Sequence, residues 1–273
     1  MQSGQAWKMG HMGVISDYSD GTAQISFTLR DSSGEILARR AGERVFYAAS
    51  TIKLAVAVAV IEQIEAGRLA WTQVVPATHT FVSATGTPFS IADDPDEVDD
   101  EIPEVGTPMS VRQLLDAMIE RSSNEATNML LGLIGIPRVQ RSCREHGMSS
   151  LHIERLIGDI AARNRGLPNE VTTDDLSKLM LEAVRGDWAA RSDTEILRQA
   201  LSRQRYATIA SEVPRGMAWG SKSGFVDGIE HDVAFIGDPD STDLRVLAVC
   251  SRGYAPDAAQ EAIRAVAAAL ISE

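Results

Sequence analysis

The sequence predicts an α+β fold, an α/β sandwich whose single antiparallel sheet is drawn from both ends of the chain, with an all-helical domain inserted between them. Three observations predict it. Alternating, β-branched patterns lie at residues 21–40 and again at 217–251. Apolar stripes at helical spacing fill the middle of the chain. No internal repeat is present. The implied division gives a sheet domain from 14–60 plus 206–273 and a helical domain from 61–205, with the candidate site at their interface.

Residues 1–13 lack the apolar core of a secretory signal and read as a leader or tag. The compartment stays open between cytoplasm and export. Residues 21–30 form a strand, 31–34 a turn and 35–40 a second strand, a hairpin. A helix starts at Ser50 and runs to about Glu65, stopped by Gly67. Residues 71–90 read as loop with short extended pieces. Ser110 caps a helix carrying Leu114, Leu115, Met118 and Ile119 on one face. A turn at 121–124 leads to a second helix over 125–133, and a short one follows at 137–146. Residues 153–171 read as loop. Thr172 opens a helix over 176–185 with acidic residues in its first turn. Another helix is expected at 195–204. Strands at 217–225, 231–237 and 244–251 and a final helix at 258–271 complete the pattern.

Composition narrows the function. A net charge of −12 argues against nucleic acid or an anionic membrane as partner, since both need a basic face. The longest apolar run, 54–61, is too short to span a bilayer. Cys143 and Cys250 read as buried thiols. The five histidines, at 11, 79, 146, 152 and 231, show no metal-ligand spacing, and His231 reads as facing solvent or capping a turn. No metal or organic cofactor is called for. Residues 93–104 hold eight acidic side chains and two prolines, and read as a solvated loop.

Chemistry enters where polar groups interrupt patterned elements. Ser50 stands at the start of an apolar helix with Lys53 one turn later on the same face. Burial lowers a lysine's pKa and makes it a proton acceptor, while the helix N-terminus favours negative charge near the serine. Ser50 thus reads as a nucleophile and Lys53 as its activator. Ser-x-x-Lys alone recurs about once by chance in a chain this long. Two further groups, Ser122-Ser123-Asn124 and Lys222-Ser223-Gly224, follow in order.

This ordered set resembles that of the serine β-lactamase and penicillin-binding-protein superfamily, and its class A branch in particular. The likeness extends over 109–131 and 172–176, and covers nearly everything from Gly21 onward. It implies a β-lactamase/transpeptidase-like fold in which Ser50 forms an acyl-enzyme with Lys53 taking its proton. By the same resemblance Ser122 relays a proton to the leaving group. Asn124 holds the substrate's amide arm, and Lys222 and Ser223 meet an anionic group. The oxyanion hole is formed by the N–H groups of Ser50 and Phe225, with Gly224 beside them. The implied partner is a small β-lactam, peptide or ester; oligomeric state is silent.

Two departures stand out. Ser123 occupies the place of an aspartate in the second motif. Where class A enzymes carry the glutamate that directs the deacylating water, alignment places Ile157. Glu154, Asp159 and Glu170 are nearby carboxylates without that motif around them. The residues therefore leave open a poor β-lactamase, an esterase or peptidase of the same fold, and a sensor that captures its ligand and keeps it.

Overall fold

The computed structural model describes residues 13–271; the leader reading of residues 1–13 lies outside them except for Gly13. The central sheet has five antiparallel strands: β1 (Gln24–Asp31), β2 (Ile36–Arg40), β3 (Trp219–Val226), β4 (Ile229–Ile236) and β5 (Arg245–Arg252). Their spatial order is β3-β4-β5-β1-β2, so the N-terminal hairpin adds to the C-terminal meander. β3 and β4 form a hairpin around Asp227-Gly228, with Lys222 opposite Val233 and Gly224 opposite His231. Gly228 supplies the positive φ of 75° that this tight turn needs.

Both faces of the sheet are covered, which is why β4 is buried at every position. Alternation sends Ala234, Ile236, Leu247 and Val249 to one side, where they pack with Ile263 and Ala267 of helix α8 (Pro256–Ile271). Val233, Phe235, Val246 and Ala248 face the other side and join the main core with the inserted helices.

Those helices are α1 (Lys53–Glu65), α2 (Val111–Glu120), α3 (Asn124–Ile134), α4 (Ile136–Glu145), α5 (Ile160–Asn164), α6 (Thr173–Arg185) and α7 (Arg191–Ser202). α1 is apolar all round from Leu54 to Ile61 because every one of those residues is buried, so it runs through the centre of the molecule. Ser110 caps α2 in a reciprocal capping box with Gln113. Thr172 caps α6, and Gly186, at a left-handed φ of 68°, ends it.

Several expectations are corrected. The first turn around Ser50 is a 3-10 turn, Ala49–Ile52, and the α-helix begins at Lys53. α7 starts four residues before the expected Glu195, because its exposed first turn masks the apolar stripe. Residues 153–171 are partly regular: His152–Ile153, Asn169–Val171 and Phe46–Tyr47 pair into a small sheet. Such short pieces are below the length at which a period can be read. His231 is fully buried at the centre of the sheet rather than facing solvent. The acidic stretch is only in part a solvated loop. Asp93, Asp94, Asp96, Asp100 and Glu104 are exposed, but Glu97 and Asp99 turn inward.

Candidate active site

Three elements converge where the sheet meets the helical insert. The strand Phe46–Tyr47 delivers the chain into the Ser50 turn, and Ala49 takes a positive φ of 44° to make the bend. An alanine in the left-handed region stores strain that the surrounding packing must hold. His231 supplies part of that hold: its Nε2 lies 2.9 Å from the Tyr47 carbonyl, and its Nδ1 lies 2.7 Å from the Glu230 carbonyl and 3.2 Å from the Ser251 N–H. Burial pushes the His231 pKa down to about 4, so the ring stays a neutral crosslink. Its sequence signal, a polar residue amid a strand, was ambiguous.

Lys53, at the first position of α1, is fully buried. Its Nζ donates to the Ser122 carbonyl, to Asn124 Oδ1 at 2.7 Å and contacts Ser122 Oγ at 3.1 Å. Burial lowers its pKa to about 7, partly opposed by the charges of Glu97, Glu125 and Asp99. Among the described residues the Ser50 hydroxyl makes no hydrogen bond, so Lys53 is anchored to the second motif rather than to Ser50 itself.

Ser122 sits between α2 and α3 with φ of 62°, a second strained residue at the site. Ser123 caps α3 by accepting from the Ala126 N–H at 3.2 Å, and its hydroxyl reaches Glu125 at 3.4 Å. Serine in place of aspartate therefore still braces the turn. Lys222, on β3, is also fully buried, and its Nζ donates to the Ser223 carbonyl at 2.7 Å and to Ser122 Oγ at 3.1 Å. Burial, and then the proximity of Lys53, holds its pKa well below the usual lysine range. The Ser223 hydroxyl is buried with no hydrogen-bond partner among the described residues.

Gly224 is where β3 runs against the Ser50 turn. A Cβ there would lie 2.6 Å from the Ser50 nitrogen and 2.8 Å from that of Thr51, so only glycine allows the approach. Phe225, next along, is half exposed at 50% and stacks edge-on with Tyr206. The eight candidate residues thus fall on the Ser50 turn with the start of α1, the α2–α3 junction and β3.

Two features were missed from the sequence. Glu97 lies against Asn124, whose Nδ2 donates to the Glu97 carbonyl at 3.0 Å and to its carboxylate at 2.5 Å. Asn128, one turn after Asn124, clamps Ile157 by both backbone groups, at 2.9 Å each. Ile157 is buried. Of the other carboxylates weighed, Asp159 is committed to structure. It accepts from Ser83 Oγ at 2.7 Å and from the N–H groups of Ala84 and Ala162. Glu170 belongs to the strand beside Tyr47, and Glu154 makes no side-chain hydrogen bond among the described residues.

Comparison with known proteins follows this geometry. A family model described as the Beta-lactamase enzyme family matches residues 12–273. A beta-lactamase of Streptomyces cellulosae is 27% identical over 241 residues, covering 85% of this chain and 73% of the relative. A solved beta-lactamase from Sphaerobacter thermophilus is 26% identical with a TM-score of 0.76, covering 92% of this chain and 91% of that one. PBP-A, at 21% identity, TM-score 0.75 and coverage of 92% and 89%, shares the fold. With a match over nearly its whole length, the chain belongs to the beta-lactamase enzyme family, serine hydrolases of the β-lactamase/transpeptidase-like fold.

Proposed function

We propose that this hydrolase works through a Ser50 acyl-enzyme formed with a β-lactam, amide or ester carbonyl, and that it is a poor β-lactamase. The observation that carries the reading is the convergence of Lys53 and Lys222 on Ser122, at the mouth of a turn that presents an unbonded Ser50 hydroxyl. A neutral lysine has two N–H donors and one lone pair. For Lys53 the donors are used by Ser122 O and Asn124 Oδ1, which leaves the lone pair for a hydroxyl proton. Lys222 donates to Ser122 Oγ, turning the Ser122 O–H toward Lys53.

Acylation then proceeds in balanced steps. Ser50 Oγ bonds to the carbonyl carbon and its proton passes to neutral Lys53, directly or by way of Ser122. The oxyanion is held by the N–H groups of Ser50 and Phe225. As the tetrahedral intermediate collapses, the C–N or C–O bond breaks and Ser122 hands its proton to the leaving atom, regaining one from Lys53. Asn124 holds the acyl amide, and Ser223 with Lys222 meets the substrate's anionic group.

Release is the weak half of this cycle. Asn128 holds Ile157 in the position the alignment gives to the water-directing glutamate, and an aliphatic side chain activates no water. Penicillin should therefore give a burst near one equivalent followed by a slow steady state. Simple esters, whose acyl groups block less of the site, should turn over faster. Rapid penicillin hydrolysis with no accumulated acyl-enzyme would overturn this part of the proposal. The same observation favours a second reading, a sensor that keeps its acyl group; a burst with no later turnover of penicillin or esters would select it.

A further inference from the structure

We propose that Glu97 makes the site select substrates that carry a protonated amine on the acyl arm. The inference rests on the acyl-enzyme reading above and adds the class of acyl group. Asn124 is 8% exposed and is shared between two neighbours: its Oδ1 accepts from Lys53, and its Nδ2 donates only to Glu97. Nδ2 is the donor that an incoming acyl amide carbonyl must use. Both of its hydrogens already point at Glu97, one at the backbone carbonyl and one at the carboxylate. An acyl arm that binds Asn124 therefore takes a hydrogen bond from the Glu97 carboxylate and covers it.

What that carboxylate gains in return depends on the arm. Glu97 makes no ion pair among the described residues. The basic groups nearby are committed elsewhere: Arg121 is paired with Asp99 at 2.9 Å and Arg205 with Glu101, while Lys53, whose proton Glu97 favours from a distance, spends its donors on Ser122 and Asn124 and is neutral in the acylating form. Asp94 and Asp96, on the same turn, add negative charge. A neutral arm leaves Glu97 desolvated and unpaired, and an anionic arm is repelled. An ammonium group one or two bonds from the acyl carbonyl supplies the missing partner. A partly buried ion pair of this kind is worth a preference of about tenfold.

Ampicillin and penicillin G differ by one amine beside the acyl amide carbonyl, and the p-nitrophenyl esters of phenylglycylglycine and phenylacetylglycine differ in the same way, with that amide one residue away from the reacting ester. Acylation of Ser50 by all four is followed by time-resolved intact mass below the pKa of the side-chain amine, for the parent and for Glu97→Gln. Glutamine keeps the size and an acceptor for Asn124 but removes the charge. The parent should favour the amine-bearing member of each pair by about tenfold, and in Glu97→Gln the ratio should fall to about one. The ratio is the readout because removing Glu97 also shifts Lys53, which changes both members equally. Acylation by penicillin G with a ratio near one in the parent overturns the inference and leaves the serine-hydrolase reading standing. A preference retained in Glu97→Gln overturns the assignment to Glu97. Acylation by none of the four compounds overturns both.

Discussion

Lys53 and Lys222 meet at one oxygen: each places its Nζ 3.1 Å from the hydroxyl of Ser122. Two ammonium groups cannot share a single hydroxyl in a buried site without cost. Both lysines are fully buried, and the pKa of each is driven down, first by that burial. The pair titrates together, and near neutral pH at least one member is uncharged. Lys53, beside Glu97, Glu125 and Asp99, is brought to about 7, the poise a general base needs at physiological pH.

Acylation of Ser50 should accordingly depend on pH with a defined sign. Below about pH 7 the neutral fraction of Lys53 falls tenfold per unit, so the acylation rate should rise tenfold per unit and level off above that value. Lys53→Ala should lose the limb and about 10²–10⁴-fold in rate. Stopped-flow measurement with an activated ester from pH 5 to 9 checks this, and a flat parent profile would assign the base elsewhere.

The part of this site that could be read in the sequence is the part written in local spacing. Ser50 and Lys53 are one turn apart, Ser122 and Asn124 lie in one inter-helix turn, and Lys222 to Phe225 are consecutive on one strand. The sheet from both chain ends was equally legible, because strands alternate and helices repeat on short periods. Glu97 and His231 were not. Glu97 reaches Asn124 across 27 residues, and nothing local distinguishes it from the solvated acids around it. His231 meets Tyr47 across 184 residues, so its burial is a property of the closed sheet.

The approach of β3 to the Ser50 turn gives a second prediction. Gly224→Ala places a methyl group within 2.6 Å of the Ser50 nitrogen, and the strand must move away from the proposed oxyanion donors. Acylation should fall by about 10²-fold, the cost of losing one such donor. Overpacking should destabilise the fold by about 1–3 kcal/mol. Circular dichroism establishes folding and labelling kinetics give the rate; a rate within a few-fold of the parent would contradict the placement.

Stability should carry its own pH signature through Glu230. Burial, followed by repulsion from Asp232, raises its pKa from 4.5 to about 7. The folded carboxyl keeps its proton over a range where the unfolded one has released it. Its contribution is thus complete below about pH 4.5 and is lost as pH rises through about 7. Glu230→Gln should be more stable than the parent at pH 8, by an amount on the order of 2–3 kcal/mol, with the gap closing toward pH 4. His231, whose neutral form is favoured by folding, acts in the opposite sense over the acid range, but it is common to both proteins and cancels in the difference. Urea melts at the two pH values test this, and a gap independent of pH would refute it.

Intact mass spectrometry after incubation with penicillin G and with an activated fluorophosphonate tests the acyl-enzyme itself. The account predicts one adduct per chain from each reagent, carried by Ser50, persistent for penicillin and absent from Ser50→Ala. Labelling that survives in Ser50→Ala, or a parent protein that takes up neither reagent, would contradict it.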